Sequence, residues 1–140
     1  MSIFSPIRRN ESGAAAIEFA LVAPVFLMII FTLIAYGIYL SAAHAVQQIA
    51  ADAARTAVAG LSENERRILA EDFIARSSKS YSFISASDMQ VFVADDPGNS
   101  NQFTVTITYD SSELPIWKLF SFALPDEVIR RGATIRLGGI

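Results

Sequence analysis

Residues 19–40 read FALVAPVFLMIIFTLIAYGIYL, a run without a single charged side chain. A helix rises ~1.5 Å per residue, so the run is ~33 Å long and matches a hydrocarbon layer of ~30 Å. Leu, Ile, Val, Phe and Met dominate it. Each such residue favours insertion by a few tenths of a kcal/mol, and the sum is comfortably negative. Tyr36 and Tyr39 close the run, where amphipathic rings prefer the membrane–water boundary. Pro24 would cost ~3 kcal/mol inside a water-exposed helix, but membrane helices tolerate it better, with a kink. The stretch predicts a transmembrane helix.

The rest of the composition fits an appended head. The chain has 140 residues, 52% hydrophobic and only 18% charged. That apolar content excludes a disordered protein. A net charge of −3 lacks the basic face that a nucleic-acid partner requires. With no cysteine, the chain has no disulfide scaffold, thiolate metal site or cysteine nucleophile. Its one histidine, His44, is too little for a histidine metal centre. No cofactor is expected.

Working outward from the run, Arg8 and Arg9 precede it, opposed only by Glu11. Beyond Leu40 the first basic residue is Arg55. The excess of basic residues predicts residues 1–13 as a cytoplasmic leader and the remainder outside, in the periplasm of a bacterium. Residues 14–60 are then the transmembrane and extended helix, and 61–140 a small head. Two other readings stay open. A cleaved signal peptide would use the triplet Ala43-His44-Ala45, although 22 apolar residues exceed the ~7–15 of a usual signal core. An ordinary single-pass anchor would carry a periplasmic binding or structural domain.

The mouth of the run reads Ser12-Gly13-Ala14-Ala15-Ala16-Ile17-Glu18-Phe19. A charge at mid-bilayer costs ~2.5–3.5 kcal/mol, so acids at such positions usually have a role and a partner. Gly13 stands between a basic tail and a helix-forming alanine stretch. In the plain-anchor reading Glu18 merely favours the helix dipole in the first turn.

Here the chain resembles the type IV prepilins and, with Glu18-Phe19 and the following ALVAPVFL, the TadE-like pseudopilins of tight-adherence (Flp) pilus systems. Those proteins carry a basic leader, a glycine, and a glutamate five positions later. The resemblance covers residues 8–59 and extends less closely to the segments Thr104–Tyr109 and Ala133–Arg136. It implies a minor pilin-like subunit in the inner membrane, cut between Gly13 and Ala14 by an aspartic prepilin peptidase. It implies Glu18 and Phe19 as assembly residues, and other pilin subunits, the pilus secretion machinery and the lipid bilayer as partners. Cutting after Gly13 would create an α-amino group on Ala14, mostly charged at neutral pH. Glu18 lies four residues on, on the same helical face. The departure is Ala14, where many type IV pilins have an aromatic residue.

Beyond the run, Val46, Ile49, Ala50, Ala53, Ala57 and Leu61 recur at helical spacing, with His44, Gln48, Asp52 and Arg55 opposite. One rod from about Ala14 to Ala59 is expected, capped by Gly60. Its alanine-rich face suits either the head or adjacent subunits. Ser62-Glu63-Asn64-Glu65 is a capping box that starts a second helix ending near Ser77 or Ser78. Leu69, Phe73 and Ile74 form its apolar side, and Glu63, Arg66, Arg67, Glu71 and Arg76 its wet side. A serine-rich loop follows, from which Tyr81, Phe83 and Ile84 can dip into the core. Met89–Ala94 and Phe103–Tyr109 alternate as strands of a hairpin about a turn at 95–101. Val128–Arg131 and Ala133–Leu137 predict a last strand with a bulge or turn at Gly132. The fold class is α+β: a long N-terminal helix, one further helix and about three antiparallel strands. Asp95, Asp96, Asn99 and Asn101 lack calcium-loop spacing. The apolar segment Leu114–Pro125 is too short to span a membrane and reads as a core cover or a docking patch. No nucleophile, base or paired acids converge, and a non-enzymatic protein is expected.

Overall fold

A computed structural model describes residues 11–77, 81, 84–120 and 124–138. Its elements are helix α1 (Glu11–Ala57), helix α2 (Glu63–Ser77), a 3-10 turn (Ala86–Asp88), strand β1 (Met89–Asp96), strand β2 (Asn99–Asp110), the short helix α3 (Trp117–Phe120) and strand β3 (Val128–Arg136). The strands form one antiparallel sheet in the order β1-β2-β3. This is the expected α+β arrangement.

Helix α1 is uninterrupted through Pro24. Nothing from Ala14 to Ile34 is buried. Burial begins at Ala35 and Tyr39, and continues through Ala42, Ala43, Val46, Ile49, Ala50, Ala53, Ala54 and Ala57. This small-residue face packs against α2 and against β2 and β3. The alanines of the outer half therefore serve the chain's own head. Leu61 departs from the expected stripe: it is 90% exposed, because the helix has already ended at Ala57 and the chain is turning.

Inward-facing residues of the sheet are Met89, Val91 and Val93 of β1, then Phe103, Val105, Ile107 and Tyr109 of β2, and Ile129, Ala133 and Ile135 of β3. Threonines at 104, 106 and 108 face the other way, with a hydroxyl bond of 2.8 Å between Thr104 and Thr134. The hairpin is tighter than its polar sequence predicts. Only Pro97 and Gly98 turn, and both strands extend into the Asp/Asn-rich stretch, with a register irregularity at Asp95/Asp96. Side chains hold the backbone there: Gly98 N–H donates to Asp96 Oδ1 (2.7 Å) and Asn101 N–H to Asn99 Oδ1 (3.1 Å). Gly132 makes no bulge. It pairs in register with Thr106, and its carbonyl accepts from Gln47 Nε2 of α1 at 3.1 Å.

These contacts orient the sheet. The ring of Trp117 packs on Tyr39, and Ser111, beside the start of β3, bonds Trp117. Gly132 meets Gln47, eight residues further along α1. Eight helical residues rise ~12 Å and four strand residues ~13 Å, so β3 runs alongside α1. The hairpin tip then lies at the end of α1 that is far from the apolar run.

Candidate processing and assembly site

The first turns of α1 bring Gly13, Ala14, Glu18 and Phe19 together without involving the head. Gly13 is part-exposed, and Ala14, Glu18 and Phe19 are exposed, Phe19 by 74%. Ala14 and Glu18 are one turn apart on a common face, ~6 Å along the axis. Among the described residues Glu18 has no hydrogen-bond or ion-pair partner. Arg8 and Arg9 lie outside the described residues. Gly13 lies within the helix, two residues from its start. A protease that reads extended backbone must first unwind this turn, and a glycine lowers that cost by ~0.5–1 kcal/mol relative to alanine.

At the far end of the molecule the structure holds a residue that the sequence reading placed on the wet side of α2. Arg66 is only 7% exposed, in line with Ala70 and Ile74. Its Nη1 donates to Asp95 Oδ1, its Nε to the Gly60 carbonyl (3.1 Å), and its guanidinium sits 5.0 Å from the centre of the Phe103 ring. The spacing 66-70-74 carried the signal, overlooked because an arginine occupies its first place. Gly60 is needed here for space: a Cβ on it would lie 2.7 Å from the Arg66 amide nitrogen. The expected capping box forms in altered shape. Glu65 N–H donates to Ser62 Oγ (3.3 Å), while Glu65 Oε2 accepts from Leu61 N–H (2.8 Å) rather than from Ser62.

At the end nearer the apolar run, Ser111 is fully buried. Its Oγ and N–H both donate to the Glu127 carbonyl, at 2.6 and 2.8 Å, and its own carbonyl accepts from Trp117 Nε1 at 2.6 Å. Leu114 and Ile116 are buried while Pro115 and Lys118 are exposed, so the opening of the 114–125 segment covers the core. Residues 121–123 lie outside the described residues, as does Phe83. Tyr81 and Ile84 join the core. Burial, with Asp88 and Asp110 nearby, raises the pKa of the Tyr109 hydroxyl. Hydrogen bonds from Ser112 hold the Asp110 carboxyl below its ordinary range. The hairpin carboxylates are engaged by the protein, Asp95 by Arg66 and Asp96 by Gly98 and Gln102. His44 is exposed on α1.

One helix of the described chain is long and apolar enough to cross a membrane, compatible with a single-pass anchor. No curated protein and no solved structure gives a significant match to the chain. The family model described as TadE-like protein matches residues 13–55. The match starts at the candidate processing glycine, takes in Glu18 and Phe19, and stops within α1, so it does not reach the strands. Over residues 13–55, within its long helix, the chain is therefore similar to the TadE-like family.

Proposed function

We propose that this protein is a minor pilin-like subunit in assembly of a tight-adherence (Flp) pilus. In this reading a prepilin peptidase removes residues 1–13, and the new Ala14 amine pairs with Glu18 of a neighbouring subunit. The observation that carries it is the Gly13-to-Glu18 spacing on an exposed helical face, within the segment that the TadE-like model matches. The amine–carboxylate pair would set register between subunits, because an unpaired Glu18 is costly in a low-dielectric layer. Residues 1–13 face the cytoplasm, α1 crosses the inner membrane, and the head stands in the periplasm. The protein contributes surfaces and a membrane segment to the assembly, and no catalysis.

Burial of Ala43 and Val46 supports a retained helix over a cleaved signal peptide. A cut after Ala45 would remove Ala35, Tyr39, Ala42 and Ala43 from the core.

The test is the N-terminal residue of protein extracted from membranes of cells that possess the peptidase. The pilus reading requires Ala14, a plain anchor gives Met1 or Ser2, and signal cleavage gives Val46. A Glu18→Ala variant should be processed largely as wild type yet fail to support pilus assembly. Intact piliation in that variant removes Glu18 from the mechanism.

A further inference from the structure

The exposed apolar face of α1 ends where the head begins, and at that junction stand three aromatic rings. Tyr39 packs edge-on against Trp117 of α3, with ring centres 6.3 Å apart, and the Tyr36 ring centre also lies 6.3 Å from that of Tyr39. Tyr36 remains 42% exposed and Trp117 half-buried. The bare helix from Ala14 to Ile34 is ~30 Å long, one hydrocarbon thickness. A membrane that takes up this length reaches the base of the head and meets these rings.

We propose that the head rests on the outer leaflet through Trp117, with a zwitterionic headgroup layer as its partner. This rests on the single-pass anchor reading. Tryptophan and tyrosine favour the headgroup level because one end of each ring is apolar and the other polar. Trp117 Nε1 is already satisfied by the Ser111 carbonyl at 2.6 Å. The ring can therefore enter the acyl boundary without exposing a bare donor to it. Lys118, exposed beside it, meets lipid phosphate. Asp126 and Glu127, exposed where β3 begins, meet the lipid ammonium. This mixture of signs fits a headgroup that carries both charges and opposes a purely anionic surface. The surface is continuous with the apolar helix face, so one bilayer covers both.

Trp117 is the only tryptophan of the chain, so intrinsic fluorescence reports this site alone. Full-length protein would be reconstituted into phosphatidylcholine–phosphatidylethanolamine vesicles whose lipids carry bromine either high on the acyl chain or near its end. Bromine quenches only rings that it can approach. The expected result is loss of Trp117 fluorescence, stronger with shallow than with deep bromine, and unchanged when phosphatidylglycerol is added. Three results overturn the seat: no quenching although the protein floats with the vesicles, deeper quenching than shallow, or quenching that requires anionic lipid. Protein that does not float with the vesicles overturns the anchor reading, and the seat with it.

Discussion

From Ala14 to Ile34, α1 turns Leu, Ile, Val and Phe outward on every side; from Ala35 to Ala57 it turns mainly alanine inward, against a head. Large apolar groups are bare and small ones are buried, within a single helix. If the helix is a single-pass anchor, the inversion follows from what would surround each half. Hydrocarbon makes no demand on side-chain size, and bulky residues gain most from leaving water. A sheet and a second helix must approach the backbone closely, and alanine permits that approach.

The sharpest way to break the contrast is to place one carboxylate in each half. Ala53→Asp puts an unpaired charge at a fully buried position and should destabilise the head by more than ~3 kcal/mol, read by thermal melting of the detergent-solubilised protein. Leu21→Asp should leave that melting temperature unchanged and impair membrane insertion, by less than the ~2.5–3.5 kcal/mol of a charge at mid-bilayer because Leu21 stands near the start of the apolar run. If Leu21→Asp unfolds the head, the two halves are not independent.

The far end of the head is the next test. Arg66→Ala removes an ion pair, a hydrogen bond to Gly60 and stacking over Phe103, and should cost ~2–3 kcal/mol, discounted because Asp95 is part-exposed. Arg66→Lys should recover only part, since an ammonium cannot bond and stack as a planar fork does. Denaturant midpoints would rank the three proteins. Gly60→Ala forces a Cβ against the Arg66 backbone and should cost ~1–3 kcal/mol by overpacking.

The smallest effect is a pH dependence. The folded state raises the Tyr109 pKa, so it holds that proton more tightly than the unfolded chain. The stability involved is complete below the ordinary value of 10.0 and is lost as pH rises through the higher folded value. Alkaline melting should weaken in wild type and less in Tyr109→Phe. Asp110 acts with opposite sign: its lowered pKa adds stability above 3.8 that fades as acid protonates it in the folded state.

Much of this was readable from residue order. The uncharged run gave the helix, Ser62 to Glu65 its successor, and the alternation Phe103 to Tyr109 the central strand. Tertiary contacts decided the rest. Arg66 reads as a solvated charge until Asp95 and Phe103 are placed beside it. Residues 95–101 read as a turn because their composition is polar, yet strand pairing holds Asp95, Asp96 and Asn99 extended. Gly132 reads as a break, and the structure keeps it in register under Gln47. In the candidate site, the Gly13-to-Glu18 spacing was visible because it is local to one helix. The meeting of Tyr39 with Trp117 was not, because the two residues stand 78 positions apart in the chain.

The strand that runs beside α1 also determines how the molecule answers force. A pull on the N-terminal half of the helix draws it lengthwise along its ~33 Å seam with the head. The contacts at Ala35, Val46, Gln47 and Ala57 are then loaded side by side and must slip together, rather than opening one after another like a zipper. Hauled by the bare end of its helix, the molecule would carry its folded head along as cargo.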